Sequence, residues 1–177
     1  MHTAYPQEPM TVLEWLEASA VNDWGRVELE DGRVVPVPAP YVLHATTSRT
    51  VLRRLVAARG WDLVLTEAAV QLTDDTAYLP DLVLLTADAR PEAMGPLLAS
   101  HCALVVEIAV STVSRDRAKA PRYANAGIPE YWLIEPAEDR GTLTRYTHPS
   151  ASGYGTVDHH IVGTGAEQLD VESLLGG

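Results

Sequence analysis

The sequence predicts an α/β protein, bordering on α+β, in which a mixed central β-sheet is flanked by helices. The first observation is the order of predicted elements, which runs helix, hairpin, helix, three strands, helix and further strands. The second is the run 102–110, which is short, apolar and partly β-branched, as in a strand covered on both faces. No repeat or linker divides the 177 residues, so we expect one domain over 1–177.

The N-terminal elements carry strong local signals. Thr11 and Glu14 have the spacing of a capping box, which predicts the start of a short helix. The stretch "RVELEDGRVVPVP" has two alternating arms around Asp31-Gly32, a sequence typical of a two-residue hairpin turn. Pro36 and Pro38 near its end either place the second arm at a sheet edge or end it.

A second helix and two strand regions follow. The pattern is helical from about 41 to 59, and Gly60 ends it. The stretch "WDLVLTEAAVQLT" predicts strand residues on both sides of Glu67, and "AYLPDLVLLT" predicts a strand that begins at Pro80-Asp81.

The C-terminal half begins with a loop or short helix at 87–101 and the strand 102–110. A basic helical segment comes next, and Pro121 should kink or restart it. Further strands are predicted at 128–136, 142–148 and 156–165, with a turn of helix in the tail 167–177.

Composition excludes several classes of protein. Hydrophobic residues make up 46% of the chain, but no apolar run approaches the roughly 20 residues that span a membrane. The N-terminus lacks the pattern of a signal peptide, so we expect a cytoplasmic protein. The single cysteine, Cys102, excludes an internal disulfide framework and a multi-cysteine zinc site, and its apolar surroundings predict a packed thiol.

The net charge of −11 argues against broad nonspecific affinity for nucleic acid, although charge can be segregated on the surface. The densest basic patch holds the only lysine of the chain, and consists of Arg115, Arg117, Lys119 and Arg122. The arginines could bind phosphates, or they could form ion pairs on the helix surface, since Asp116 lies among them.

Glu107 interrupts the apolar run 102–110. It could lie at a strand end and face solvent, or it could be buried against a metal ion or a basic side chain that offsets the cost of burial. Asp81 begins the preceding strand, so the two carboxylates converge if these strands pair. Two carboxylates with a backbone carbonyl and waters suit Mg²⁺ or Mn²⁺. A nearby lysine could then orient water or stabilise negative charge.

The chain also resembles a known family. The motifs "PD" at 80–81, "VVEIA" at 105–109, "RDRAK" at 115–119 and "YANAGIPEYWLIE" at 123–135 resemble the Uma-two-type restriction endonuclease domain of the PD-(D/E)XK nuclease superfamily. With "VELEDGRVV" and "PAPYVLH" upstream, the resemblance covers about 27–135. It implies a restriction-endonuclease-like fold with an extra N-terminal hairpin and extra C-terminal strands.

Carried over residue by residue, the resemblance implies that Asp81 and Glu107 bind the metal and that Ile108 supplies a backbone carbonyl. Ala109 stands where the superfamily usually has its lysine, and Lys119 on the following helix takes that role instead. Val110 also departs from the polar residue that relatives often carry, which suggests a drier site.

The resemblance thus implies a Mg²⁺- or Mn²⁺-dependent endonuclease that hydrolyses DNA, and a homodimer is plausible because nucleases of this fold often cut both strands as pairs. The alternative is an inactive or repurposed nuclease-fold module that serves in protein interaction or acts on a substrate other than nucleic acid. The acidity of the chain and the displaced lysine motivate it.

Each candidate site residue could instead have a purely structural or solvent-facing role. Asp81 could be a turn residue, and Lys119 a solvated helix residue. Glu28 and Glu67 could enter the metal site from neighbouring strands, although solvent-facing or structural roles are favoured. His44 is taken to precede a helix and is interpreted as a capping or packed residue rather than a ligand.

The favoured arrangement is a buried acidic pocket. Glu107 should be buried at the base of an acidic pocket, with Asp81 across from it and the Lys119 ammonium directed into it. Without metal, repulsion between the carboxylates should raise the pKa of at least one of them.

Overall fold

The computed structural model describes residues 4–163 and 166–175, so the ends of the predicted strand 156–165 and of the tail 167–177 lie outside the described residues. Over the described part the helices are α1 Val12–Val21, α2 Val42–Arg59, α3 Val113–Asn125 and α4 Val171–Leu175. The strands there are β1 Val27–Glu30, β2 Arg33–Pro36, β3 Val64–Thr66, β4 Val70–Thr73, β5 Thr76–Tyr78, β6 Leu82–Leu85, β7 Leu97–Leu98, β8 Cys102–Ile108, β9 Glu130–Glu135, β10 Thr142–Ser150 and β11 Gly153–Ile161. No helix within these ranges is both long and apolar enough to cross a membrane.

The strands form two mixed sheets rather than one. The first has the order β2-β1-β5-β4-β7 and the second the order β11-β10-β9-β8-β6-β3. Only the pairs β4–β7 and β8–β9 are parallel among the described strands. The stretch 77–86, where one strand beginning at Pro80-Asp81 is predicted, contains residues of two strands, with β5 in the first sheet and β6 in the second. Pro80 lies at the division, because proline has no N–H to continue a ladder of hydrogen bonds.

The local signals near the N-terminus are confirmed. Thr11 caps α1, and both halves of the capping box with Glu14 are present. The hairpin pairs β1 with β2, and β2 lies at the edge of the first sheet, as its prolines predicted. Asp31 and Gly32 both have positive φ, at 50° and 75°, as a type I′ turn requires. Gly60 ends α2 with φ of 91°.

Two predicted boundaries differ from the structure. The strand predicted at 102–110 ends at Ile108. The basic helix does not restart at Pro121, but continues without a break to Asn125. Buried residues flank the proline, Ala120 on one side and Tyr123 on the other, so packing against the sheet outweighs the lost backbone hydrogen bond.

Strand β8 is covered on both faces, as its composition predicted. Leu104, Val106 and Ile108 face the core that α2 and α4 close. Val105 and Ala109 face the other core, which contains residues of α3. Side chains alternate along a strand, so Glu107 belongs to the face that α3 covers. The packed thiol of Cys102 lies in the same core, and burial raises its pKa to about 12.

Candidate functional site

The candidate site is a cavity of about 50 Å³ where β1, the start of β6, the end of β8 and α3 meet. Strand pairing explains why two acids converge there. Leu82 is opposite Val106 in the antiparallel pair β6–β8, so extending the register by one residue brings Asp81 opposite Glu107. Opposite residues project to the same face of a sheet. Both side chains are buried, with Asp81 6% and Glu107 5% exposed.

Lys119 reaches this cavity from α3. Its Nζ lies 2.8 Å from Glu107 Oε1, 2.9 Å from Glu28 Oε1 and 3.4 Å from Asp116 Oδ1. Lys119 is only 5% exposed, so the simpler reading of a solvated helix residue is wrong. Its ammonium also lies 4.8 Å from the centre of the Tyr78 ring, a cation–π contact. The expected burial of Glu107 against this lysine is therefore observed.

Tyr123 completes the surroundings of Glu107, and sequence reasoning missed it. Its hydroxyl donates a hydrogen bond to Glu107 Oε1 at 3.0 Å. Asp116, Lys119 and Tyr123 follow one another at helical spacings of three and four residues, which places them on one face of α3. That spacing, read together with the acid on the facing strand, is the signal that could have identified both Tyr123 and Asp116.

Asp81 is held from two sides. Its Oδ2 accepts a hydrogen bond of 2.7 Å from the backbone N–H of Ile108. Its Oδ1 lies 3.0 Å from His44 Nε2 and 3.7 Å from Arg26. The contact between Ile108 and this carboxylate is thus made by the amide, and a role for the Ile108 carbonyl stays a prediction. The simpler reading of Asp81 as a plain turn residue does not account for these contacts.

His44 does not cap or precede a helix, because α2 already begins at Val42. It lies in the first turn of α2 and directs its ring towards Asp81. Arg26, which no sequence signal singled out, bridges Asp81 and Glu67, at 3.7 Å and 3.9 Å respectively. Glu67 itself has a 68% exposed side chain and meets the site only through this arginine.

Glu28 is a buried member of the site, so its reading as a solvent-facing residue is wrong. Its Oε1 accepts hydrogen bonds from Lys119 and from the backbone N–H of Leu79, both at 2.9 Å. Its Oε2 accepts from Arg115 at 2.8 Å. Glu28 therefore connects β1 to two basic side chains of α3.

The three arginines of the basic patch are all ion-paired, but with other elements rather than with Asp116. Arg115 pairs with Glu28, and Arg117, whose side chain is 54% exposed, pairs with Glu135 at 2.7 Å. Arg122 makes two hydrogen bonds of 2.8 Å to Asp31 in the hairpin turn. The carboxylate of Asp116 instead accepts a 2.5 Å hydrogen bond from Thr112 and faces Lys119.

Burial and crowding of negative charge perturb the ionisation of the site. Burial raises the pKa of Glu107 to about 8, Lys119 opposes this shift, and Asp81, Asp116 and Glu28 add to it. Burial lowers the pKa of Lys119, but Glu107, Glu28 and Asp116 together outweigh burial and hold it above its ordinary value. Lys119 is thus protonated at neutral pH. The direction of the shift at Glu107 agrees with the prediction, but burial is its main cause, and repulsion from Asp81 is a smaller one.

The donor set fits a hard divalent cation in kind. Four carboxyl groups line the cavity, namely Glu28, Asp81, Glu107 and Asp116. Three basic side chains contact them: Lys119, Arg115 at Glu28, and Arg26 at Asp81. Across residues 4–163 and 166–175, no group of three or more His, Cys, Asp and Glu side chains is arranged to hold a metal ion. A Mg²⁺ site needs only one or two carboxylates when waters complete the shell, and Asp81 with Glu107 meets that requirement.

Comparison with known proteins connects this geometry to a family. The family model described as "Putative restriction endonuclease", Uma2, matches residues 12–177. The structure is similar to the crystal structure of a putative nuclease of the family DUF820 from Anabaena variabilis, with a TM-score of 0.66 and 16% sequence identity. The similarity covers 94% of this chain and 99% of the other, and it shows that the two share the restriction-endonuclease-like fold.

No curated protein matches the chain. The family match begins upstream of the stretch 27–135 that carries the motifs, and it includes α1 and the C-terminal strands. Because it spans most of the sequence, the chain belongs to the Uma2 family of putative restriction endonucleases.

Proposed function

We propose that this protein is a Mg²⁺- or Mn²⁺-dependent endonuclease that hydrolyses phosphodiester bonds of DNA. The observation that supports the proposal is the buried convergence of Asp81, Glu107 and Lys119 in one cavity of a restriction-endonuclease-like fold. Asp81 and Glu107 would hold the ion, with the Ile108 carbonyl as a further oxygen ligand. When bound, the ion would polarise the phosphodiester and lower the pKa of a bound water.

The chain's own residues prepare the two carboxylates. His44 and the Ile108 N–H hold Asp81, and such partners fix the orientation of a ligand and tune its affinity. Tyr123 and Lys119 hold the Glu107 carboxyl in the same way, through hydrogen bonds to its Oε1. Because the Glu107 pKa is raised to about 8, a cation must displace a proton from this carboxyl at neutral pH. Metal affinity should therefore increase with pH.

Lys119 would act as a fixed positive charge. Its raised pKa keeps it protonated, so it is unsuited to remove a proton from water. Its compact ammonium can instead donate hydrogen bonds to a phosphate oxygen as negative charge develops there. Glu28 and Asp116 hold the lysine in position while Glu107 is engaged elsewhere.

DNA binding would have to overcome the negative charge of the chain. Arg117 is the most exposed of the three candidate phosphate ligands, and Glu135, with which it forms an ion pair, is also partly exposed. Exchange of such a surface ion pair for a phosphate costs little, because surface pairs contribute about 0–1 kcal/mol. A homodimer remains a prediction, and light scattering in the presence of DNA tests it.

Plasmid nicking with Mg²⁺ or Mn²⁺ tests the proposed activity. Asp81→Ala and Glu107→Ala should each abolish cleavage, while Glu17→Gln removes an exposed carboxylate of α1 and should leave cleavage unchanged. Retention of full activity by both alanine variants would refute the mechanism.

A second candidate is a nuclease-fold module that does not cut. The observation in its favour is that protein cations and donors already occupy the carboxylates of the site, with Lys119 bound to both Glu28 and Glu107. Calorimetry separates the candidates, since a folded protein that binds neither Mg²⁺ nor Mn²⁺ at pH 8 would favour the module.

A further inference from the structure

We propose that strand β11 is the interface of a homodimer, in which it pairs antiparallel with β11 of a second copy of this chain. β11 runs from Gly153 to Ile161 and lies at one end of the second sheet. One side of β11 pairs with β10, and no strand within the described residues pairs with its other side. The backbone N–H and C=O groups of such an edge can bind a further strand. A dimer of this kind would form without metal or DNA.

The length of β11 distinguishes it from the other sheet edges. Among the strands that the structure describes, the other three edges are β2, β7 and β3, with four, two and three residues. β11 has nine. Short length and proline are common protections against edge-to-edge pairing, and β2 has both. The sequence of β11, "GYGTVDHHI", contains neither proline nor lysine, so this long edge is suited to pairing with another chain.

β11 also exposes apolar side chains to solvent. Val157 is 46% exposed and Ile161 is 48% exposed. They are four positions apart in a stretch whose pairing with β10 is continuous, so both lie on one face of the sheet. Both are β-branched, and their burial against a neighbouring strand is favourable. The edge therefore offers apolar contacts as well as backbone hydrogen bonds.

The sequence of β11 is complementary to itself in one antiparallel register. When Val157 lies on the two-fold axis, all nine residues of each strand overlap. Gly153 of one copy then faces Ile161 of the other, and Gly155 faces His159. Each of these large side chains thus lies opposite a glycine, where no side chain competes for space. The two copies of Val157 face each other, as residues on the axis of an isologous interface do.

Charge and strand overlap favour this register. Asp158 is the only acidic residue of β11, which has no lysine or arginine, and it faces the hydroxyl of Thr156 rather than another carboxylate. Like charges directly opposite each other would destabilise the pair. Moving the axis to His159 would leave only residues 157–161 of each strand paired, which loses backbone hydrogen bonds. A second copy of the chain is therefore a fitting occupant of the edge.

Sedimentation of the wild type and of charge variants tests the interface. The wild type should show a monomer–dimer equilibrium. Val157→Lys places two like charges opposite each other on the axis, and should raise the dissociation constant of the dimer at least about tenfold. Val21→Lys adds the same charge at a position of α1 that is 82% exposed, and should leave the dissociation constant unchanged.

A mixture of oppositely charged variants separates a lost interface from a lost fold. Val157→Asp alone should also weaken the dimer. Mixed with Val157→Lys, it should form a heterodimer, because opposite charges then face each other on the axis. Native mass spectrometry identifies the heterodimer by its mass, and its recovery shows that both variants fold.

Crosslinking with a short bismaleimide tests the register. Two copies of Val157→Cys should crosslink, because the Cβ atoms of directly opposite residues are about 5 Å apart. In His159→Cys each thiol faces Gly155, which lies about 13 Å along the strand from the second thiol. That variant should not crosslink, and neither should the wild type, whose Cys102 is buried.

Three results would overturn the proposal. The first is a wild type that stays monomeric, and the second is a dimer that Val157→Lys leaves as tight as the wild type. The third is crosslinking through position 159 but not through position 157, which would contradict the pairing centred on Val157.

Discussion

Replacement of Glu107 by glutamine should remove a pH-dependent loss of stability from the metal-free protein. The buried Glu107 carboxyl has a pKa of about 8, whereas the unfolded one titrates near 4.5. A raised folded-state pKa contributes stability that is fully present below pH 4.5 and is lost as pH rises through about 8. Each pH unit within that window costs the wild type about 1.4 kcal/mol. The free energy of unfolding of Glu107→Gln, relative to wild type, should therefore rise by on the order of 5 kcal/mol between pH 4.5 and 8.

Urea unfolding at pH 5, 6, 7 and 8 in the presence of EDTA measures this difference. Titration of groups far from Glu107 cancels when the variant is subtracted from wild type at each pH. Glu17→Gln, at an exposed position of α1, should show a flat difference. A Glu107→Gln difference that stays within about 1 kcal/mol across the window would show that Glu107 is ionised in the fold, and would refute the reasoning. Saturating Mn²⁺ should stabilise wild type more at pH 8 than at pH 6, and should not stabilise the variant.

Three further predictions concern the partners of the carboxylates and the exposed basic patch. Lys119→Ala should keep the Mn²⁺ affinity, measured by calorimetry, within about tenfold of wild type, while the rate of plasmid nicking falls at least about 100-fold. Lys119→Arg should not restore the rate, because a planar guanidinium replaces the compact ammonium. Nicking by Lys119→Ala at the wild-type rate would contradict this prediction. His44→Ala should weaken Mn²⁺ binding about 10- to 100-fold because Asp81 loses its orienting partner, and an unchanged dissociation constant would show that the contact is only structural. Arg117→Ala should reduce the salt dependence of DNA binding by the equivalent of about one phosphate contact. Arg122→Ala should change it less, because the Arg122 guanidinium is already held by two hydrogen bonds to Asp31. Equal effects of the two variants would contradict the prediction that Arg117 contacts DNA and Arg122 does not.

Local signals predicted the elements well, because their physical causes lie within a few residues. The Asp31-Gly32 turn and the cap at Thr11 are fixed by short-range backbone geometry and hydrogen bonding. The convergence of Asp81 with Glu107 was also accessible, since it needs only that two consecutive strands pair.

The remaining parts of the site depend on contacts that are distant in sequence. Glu28 accepts hydrogen bonds from the Leu79 backbone, 51 positions away in sequence, and from Lys119, 91 positions away. No local pattern specifies either contact. The position of His44 beside Asp81 depends on how α2 packs against the sheet, which its helical periodicity does not reveal. The division at Pro80 into two sheets likewise depends on pairing with strands elsewhere in the chain.

The contact of Lys119 with both Glu28 and Glu107 has a consequence for the cooperativity of the fold. Glu28 belongs to β1 of the first sheet and Glu107 to β8 of the second, so one ammonium from α3 joins the two sheets. Opening of either sheet would remove one of the carboxylates that pair with the buried ammonium, which ties the local unfolding of one sheet to that of the other. Backbone amides of β1 and β8 should therefore exchange with deuterium as a single cooperative unit, and in Lys119→Met they should separate into two.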